Sequence, residues 1–156
     1  MSDPASAIGP RPSSDASDAA IDLVKQFIGC LEALDIDAAV ALLDDAAVYQ
    51  NVPLPPARGR RAIEKQLGFL GRYASGFEVH VDNIAASVAG STTTVLTERT
   101  DVLVLGRVRA AFWVCGTFEV RDGRITLWRD RFDFVDFVLS FVRGGLRAVL
   151  ANRHSN

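Results

Sequence analysis

Histidine and cysteine are scarce in this chain, with two residues of each, and methionine occurs once. Cys30 and Cys115 can neither build a disulfide framework nor hold zinc by themselves, and each reads as a buried thiol in a reducing compartment. His80 and His154 lie far apart in the sequence, and no spaced set of Asp and Glu resembles a cation loop, so no metal site is expected. The nucleophile and phosphate signatures are missing as well: no G-x-S-x-G, no P-loop, no G-x-G-x-x-G and no H-E-x-x-H. An excess of one charge is lacking too. Seventeen Lys plus Arg stand against nineteen Asp plus Glu, a net charge of −2, which leaves no electrostatic footprint for nucleic acid or an anionic membrane. The greasiest stretch, Phe134 to Leu150, is interrupted by Asp136, Arg143, Gly144-Gly145 and Arg147, so it is not expected to span a bilayer. The first residues lack the basic start and apolar run of an export signal. These absences predict a soluble, cytoplasmic protein.

What is present suits one domain. The chain has 156 residues, 49% of them hydrophobic and 23% charged, enough material for a real core. The composition predicts a flexible tail over 1–16, a single domain over 17–145 and a C-terminal tail over 146–156. A first helix is expected after Asp15 or Ser17, either serving as N-cap, with Ile21, Val24, Ile28, Leu31 and Leu34 on its buried stripe. Asp35 or Asp37 starts a shorter helix that carries the apolar face on through Val40 and Leu43. A strand over 46–51 ends at Pro53, Pro55 and Pro56. Helical spacing returns over 60–73, and after Gly76 the period becomes two, with Phe77, Val79 and Val81 on the inner side. Long β segments over 92–105 and 107–121, a hairpin at Asp122-Gly123, and a last strand over 124–132 follow. Asp133 caps a final helix running to about Phe141. Helices first and an antiparallel meander after them predict an α+β domain, with a curved sheet wrapped around a pocket.

The anomaly lies in polar residues on strand faces that ought to be apolar. Alternation puts Arg99, Asp101, Leu103 and Leu105 on one side of their strand, and the leucines mark that side as inward. Thr126, Trp128, Asp130 and Phe132 share one side of the last strand, and Tyr49 and Asn51 point together from the first. Buried charges cannot stand unpaired. Spacing alone leaves two readings open, an ion-pair network that fixes strand register and a catalytic site.

Three segments add a resemblance. Tyr49-Gln50-Asn51-Val52-Pro53-Leu54-Pro55-Pro56 with Gly59-Arg60, then Thr97-Glu98-Arg99-Thr100-Asp101-Val102-Leu103, then Gly123 to Asp133 resemble, in order, the limonene-1,2-epoxide hydrolase family. The resemblance implies a cone-shaped α+β fold of the cystatin-like, NTF2-like kind, with a strongly curved mixed sheet around a deep apolar pocket. It implies a homodimer that needs no cofactor and adds water to a hydrophobic epoxide to give a vicinal diol. The family's polar site residues fall on Tyr49, Asn51, Arg99, Asp101 and Asp130. In the implied roles Asp130 is the base, Asp101 the acid and Arg99 the bridge, and Tyr49 and Asn51 position water. The family's pocket positions fall on Ile28, Leu31, Leu103, Phe112, Val114, Phe132 and Phe137.

Two rival readings share the fold. A ketosteroid-isomerase-like isomerase or lyase would use an aspartate base and a neutral acid, without an arginine between carboxylates. A non-catalytic carrier of apolar ligands would need no charges in its pocket. Among the remaining polar residues, Asp133 reads as an N-cap, Asp136 as a solvated charge, and Arg58, Arg60 and Arg61 as a solvated helix start.

Overall fold

The structure is a computed structural model that describes residues 12–153. Among the described residues, four helices and six strands follow in the order α1 (Pro12–Glu32), α2 (Ile36–Ala41), β1 (Leu43–Val52), β2 (Ala57–Arg58), α3 (Arg60–Tyr73), β3 (Gly76–Ala89), β4 (Thr92–Leu105), β5 (Val108–Arg121), β6 (Arg124–Arg131) and α4 (Phe134–Arg153). The bounds of α3 and β4 coincide with those predicted from periodicity. The domain is α+β, as expected.

The strands form one curved sheet in the order β2-β1-β6-β5-β4-β3. Strands β3 to β6 are the predicted antiparallel meander, with Asp122 and Gly123 at φ 50° and 71° in the tight β5–β6 turn. Beyond the meander, β1 pairs with β6 in parallel and β2 pairs antiparallel with β1, so the sheet is mixed. This parallel pair sets Tyr49 beside Trp128 and Asn51 beside Asp130.

Helix α1 lays Val24, Phe27, Ile28 and Leu31 on the sheet, all buried. At its end the Glu32 carboxylate accepts a hydrogen bond from the Val79 amide at 2.8 Å, which pins the helix to the sheet edge. Asp35 is the N-cap of α2, its side chain accepting from the Ala38 amide at 3.0 Å. Phe27, fully buried, belongs to the core although it fell outside the predicted stripe.

Several expectations need correction. Helix α1 begins at Pro12, not after Asp15 or Ser17, so residues 12–16 are helical and not tail; proline suits a first helical turn because its missing N–H has no intrahelical acceptor there. Residues 1–11 and 154–156, including His154, lie outside the described residues. Leu43 opens β1 and does not extend α2. Helix α4 runs through Gly144-Gly145 to Arg153, which replaces the predicted end near Phe141 and the tail from 146. A Cβ on Gly144 would collide with the Arg109 carbonyl oxygen of β5, so this glycine lets the helix lie against the strand and does not break it. Arg60 is no solvated start, because it donates to the Leu43 carbonyl at 2.7 Å and pairs with Asp45 at 2.9 Å. Val81 keeps the predicted parity opposite Arg99 but is exposed, and beyond it a bulge between Val81 and Asn83 moves the inner parity of β3 to Ile84 and Ala86. Cys30 and Cys115 are free and half-buried, not fully buried.

Candidate active site

Arg99 and Asp101, two apart on β4, and Asp130 on β6 share the inner face of the sheet, and each is at most 4% exposed. Arg99 Nε donates to Asp101 Oδ1 at 2.9 Å, and Nη2 approaches Asp101 Oδ2 at 3.3 Å. The same Nη2 donates to Asp130 Oδ2 at 2.8 Å. One planar cation therefore bridges two carboxylates, as a guanidinium fork can. Nη1 turns away from both and donates to the buried Thr97 hydroxyl at 3.0 Å. Among the described residues, Asp130 Oδ1 has no hydrogen-bond partner, although it is buried. A buried acceptor left open is costly in a folded protein and marks a place where a further donor belongs.

The electrostatics mark Asp101. Burial raises the Asp101 pKa to about 6, against the lowering pull of the Arg99 charge and hydrogen bonds, and the Asp130 charge adds to the rise. Burial works against the Arg99 charge, but Asp130 and Asp101 outweigh it and hold the guanidinium cationic. Burial, with the Asp130 charge, also raises the Tyr49 phenol well above its ordinary range, so it stays protonated.

Beside Asp130, Asn51 Nδ2 donates to the Tyr49 hydroxyl at 2.6 Å. That leaves the Tyr49 O–H and the Asn51 side-chain oxygen as donor and acceptor for a third molecule. The Tyr49 ring stacks on Trp128 with centroids 3.9 Å apart, and Phe27 meets Trp128 edge-on at 4.8 Å. These rings fix the phenol, because its ring is wedged in the core while its hydroxyl faces the carboxylates.

All five polar candidates line one cavity of about 360 Å³. Ile28, Leu31, Leu103, Phe112, Val114, Phe132 and Phe137 line the same cavity. Phe112, Phe132 and Phe137 form one cluster, with centroids 4.8 to 5.8 Å apart, that seats the start of α4 against β5. Asp133 caps that helix through the Val135 and Asp136 amides, as its position before the helix predicted. Sequence reasoning missed the deep aromatic wall of Phe27, Phe118 and Trp128, and the rim from α3, Gln66, Leu67, Phe69 and Leu70. Trp128 had a signal, since it shares the face of Asp130; the rim had none, because only the tertiary fold brings α3 over the sheet. Among the described residues, Trp128 Nε1 is also buried without a hydrogen-bond partner. Among the described residues no group of three His, Cys, Asp or Glu is placed to hold a metal ion.

Residues 18–143 match the family model of the limonene-1,2-epoxide hydrolase catalytic domain. The chain belongs to the limonene-1,2-epoxide hydrolase family. Among relatives of this family, it is 47% identical over 122 residues to the epoxide hydrolase EphG of Mycobacterium tuberculosis, covering 78% of each protein. The solved structure of a limonene-1,2-epoxide-hydrolase-like epoxide hydrolase from M. tuberculosis superposes with a TM-score of 0.77 at 42% identity, over 87% of this chain and 98% of that one. An NTF2-like protein with a cystatin-like fold from Novosphingobium aromaticivorans matches with a TM-score of 0.61 at 15% identity, over 74% of this chain and 80% of that one, a likeness of fold alone. The family assignment thus agrees with the resemblance carried by the three sequence segments, and the fold is NTF2-like as that resemblance implied. Among the described residues of this family member, no helix is long and apolar enough to cross a membrane.

Proposed function

We propose that the protein hydrolyses a hydrophobic epoxide to a vicinal diol in one step of general acid/base catalysis, without a cofactor. The observation that carries the proposal is the Asp101–Arg99–Asp130 bridge with one Asp130 oxygen left open inside an apolar cavity. Epoxide opening needs an acid and a base together, and two carboxyls around one guanidinium hold one proton between them. Asp101, the carboxyl whose pKa is raised, carries that proton. Asp130, as the base, presents Oδ1 to a water that also donates to Asn51 Oδ1 and accepts from the Tyr49 O–H. Asp130 takes one water proton as the water oxygen bonds to a ring carbon. The C–O bond breaks, and Asp101 delivers its proton to the ring oxygen. Proton exchange with solvent then resets the pair.

Family membership, and the epoxide hydrolase activity named for its relatives, support this reading. A ketosteroid-isomerase-like reaction leaves the bridging Arg99 and the Tyr49–Asn51 pair without a task. A carrier would keep three buried charged groups without use, and burying charge is costly. Of the residues lining the cavity, only the five site residues and Gln66 are polar, which favours a substrate that is apolar apart from its epoxide. The test is a panel of terpene, steroid and fatty-acid epoxides assayed for diol by mass spectrometry. Diol from at least one class is expected; no turnover across the panel would favour the carrier.

Asp101 must be protonated to act, so kcat/KM should hold below an apparent pKa of about 6 and fall tenfold per unit above it, the value belonging to the carboxyl pair. A profile rising through that range would contradict the acid role. We also propose a cytoplasmic homodimer. Leu96 and Trp113, about half exposed on the sheet, and Val142 and Leu146 on α4 supply apolar surface for a second copy. A solution mass of twice the chain would bear this out, and a monomer would refute it.

A further inference from the structure

Four residues stand side by side across four strands. Thr97 of β4 faces Gly116 of β5, Gly116 faces Asp130 of β6, and Asp130 faces Asn51 of β1. Arg99 starts one same-face step along β4 from Thr97, opposite Val114. To bridge Asp101 on its own strand and Asp130 two strands away, its guanidinium must cross β5, roughly 10 Å in all at about 4.8 Å per strand. It crosses over Gly116. A Cβ there would overlap Arg99 Nη1, and would lie 2.5 Å from Thr97 Oγ1 and 3.0 Å from Asp130 Oδ1. Gly116 is not at a positive φ, so its requirement is space and not backbone conformation.

The other constraint is rotational. Nε and Nη2 serve the carboxylates only while the guanidinium plane keeps its present turn. Its far corner is held by the hydrogen bond from Nη1 to Thr97 Oγ1, at 3.0 Å between two buried side chains. We propose that Thr97 and Gly116 are positioning residues that seat and orient Arg99, the one by accepting from Nη1 and the other by leaving its side-chain place empty for the guanidinium. The inference rests on the acid/base reading above and deepens it, since Arg99 sets the spacing of acid and base.

The experiment compares Thr97→Val, Thr97→Ser and Gly116→Ala with the wild type, in turnover of whichever epoxide the panel yields. Valine keeps the shape of threonine and removes the acceptor. It should lower kcat by roughly 10- to 100-fold, the cost of a misplaced catalytic group, with KM within about twofold. Serine should recover most of kcat. Gly116→Ala should lose at least as much as valine; if it fails to fold, the Thr97 pair carries the test. Wild-type kcat in Thr97→Val, or a serine variant as impaired as the valine one, would overturn the proposal. A second readout is independent of turnover. In ¹⁵N spectra of the guanidinium, Arg99 should show separate Nη1 and Nη2 signals in wild type and Thr97→Ser, and exchange-averaged ones in Thr97→Val. Unchanged signals in Thr97→Val would reject the positioning role even if no epoxide were turned over, whereas altered signals with an inert wild type would reject only the hydrolase reading.

Discussion

Asp130→Asn and Asp101→Asn should each abolish most hydrolysis, lowering kcat by roughly 100- to 10,000-fold, because each removes one of the two proton transfers. Asparagine keeps the size of the side chain and an acceptor oxygen, so Arg99 retains a partner in either variant. The fold should survive, and for Asp101 the physics is favourable. Burial pushes its carboxyl up to about 6 in the folded protein from an ordinary 3.8, so the native state holds the extra proton between those values. Stability from this group is present below that window and is lost as pH rises through it. Asparagine cannot ionise, so Asp101→Asn escapes that loss and should melt no lower than wild type at pH 7. Measured kcat with thermal melts would check both statements. Near-wild-type turnover in folded Asp130→Asn would remove Asp130 as the base.

Arg99→Lys should be nearly as inactive as Arg99→Ala, with both losing about 100-fold or more. A lysine ammonium is a point charge on a flexible stem and cannot span two carboxylates in a plane. Arg99 reaches Asp101 through Nε and Nη2, Asp130 through Nη2 and Thr97 through Nη1, a geometry that uses all three nitrogens. Stability should rank differently. Arg99→Ala leaves two carboxyls buried together and should cost roughly 3–5 kcal/mol, whereas lysine keeps a cation beside them and should cost less. Activity and melting measured side by side would show the split. Recovery of most of the rate by lysine would reduce Arg99 to a generic positive charge.

The legible parts of this protein were those that local periodicity controls. The helical spacing of Ile63 and Leu67 marked α3, and alternation through Arg99, Asp101 and Leu103 placed the charged pair on the inner face, as observed. The Asp122-Gly123 turn was legible because few residues accept two successive positive φ angles. The unread parts depend on distant contacts. Nothing near Leu43 announces that β1 will lie parallel to β6, although that pairing brings Tyr49 and Asn51 to Asp130. Parity in β3 holds through Val81 and changes only beyond it, where a bulge adds a residue. The end of α4 was read too early, near Phe141, because the Arg109 backbone against which Gly144 packs is invisible from sequence. Gly116 was passed over for a related reason: its contribution is the space it leaves, and a missing side chain gives no pattern.

Whether Asp130 activates water or a carboxylate attacks the epoxide is decided by one turnover in heavy-oxygen water. Enzyme is held in excess over an epoxide that it hydrolyses, and both the diol and the digested protein are weighed by mass spectrometry. General-base catalysis never bonds substrate to protein, so the oxygen entering the diol comes from solvent on the first turnover. An attacking aspartate would put its own oxygen into the first diol and take solvent oxygen when the ester is hydrolysed. The open Asp130 Oδ1 beside Tyr49 and Asn51 favours the first route. The account predicts a labelled diol and unlabelled peptides; an unlabelled first diol, with label in the peptide carrying Asp101 or Asp130, would contradict it.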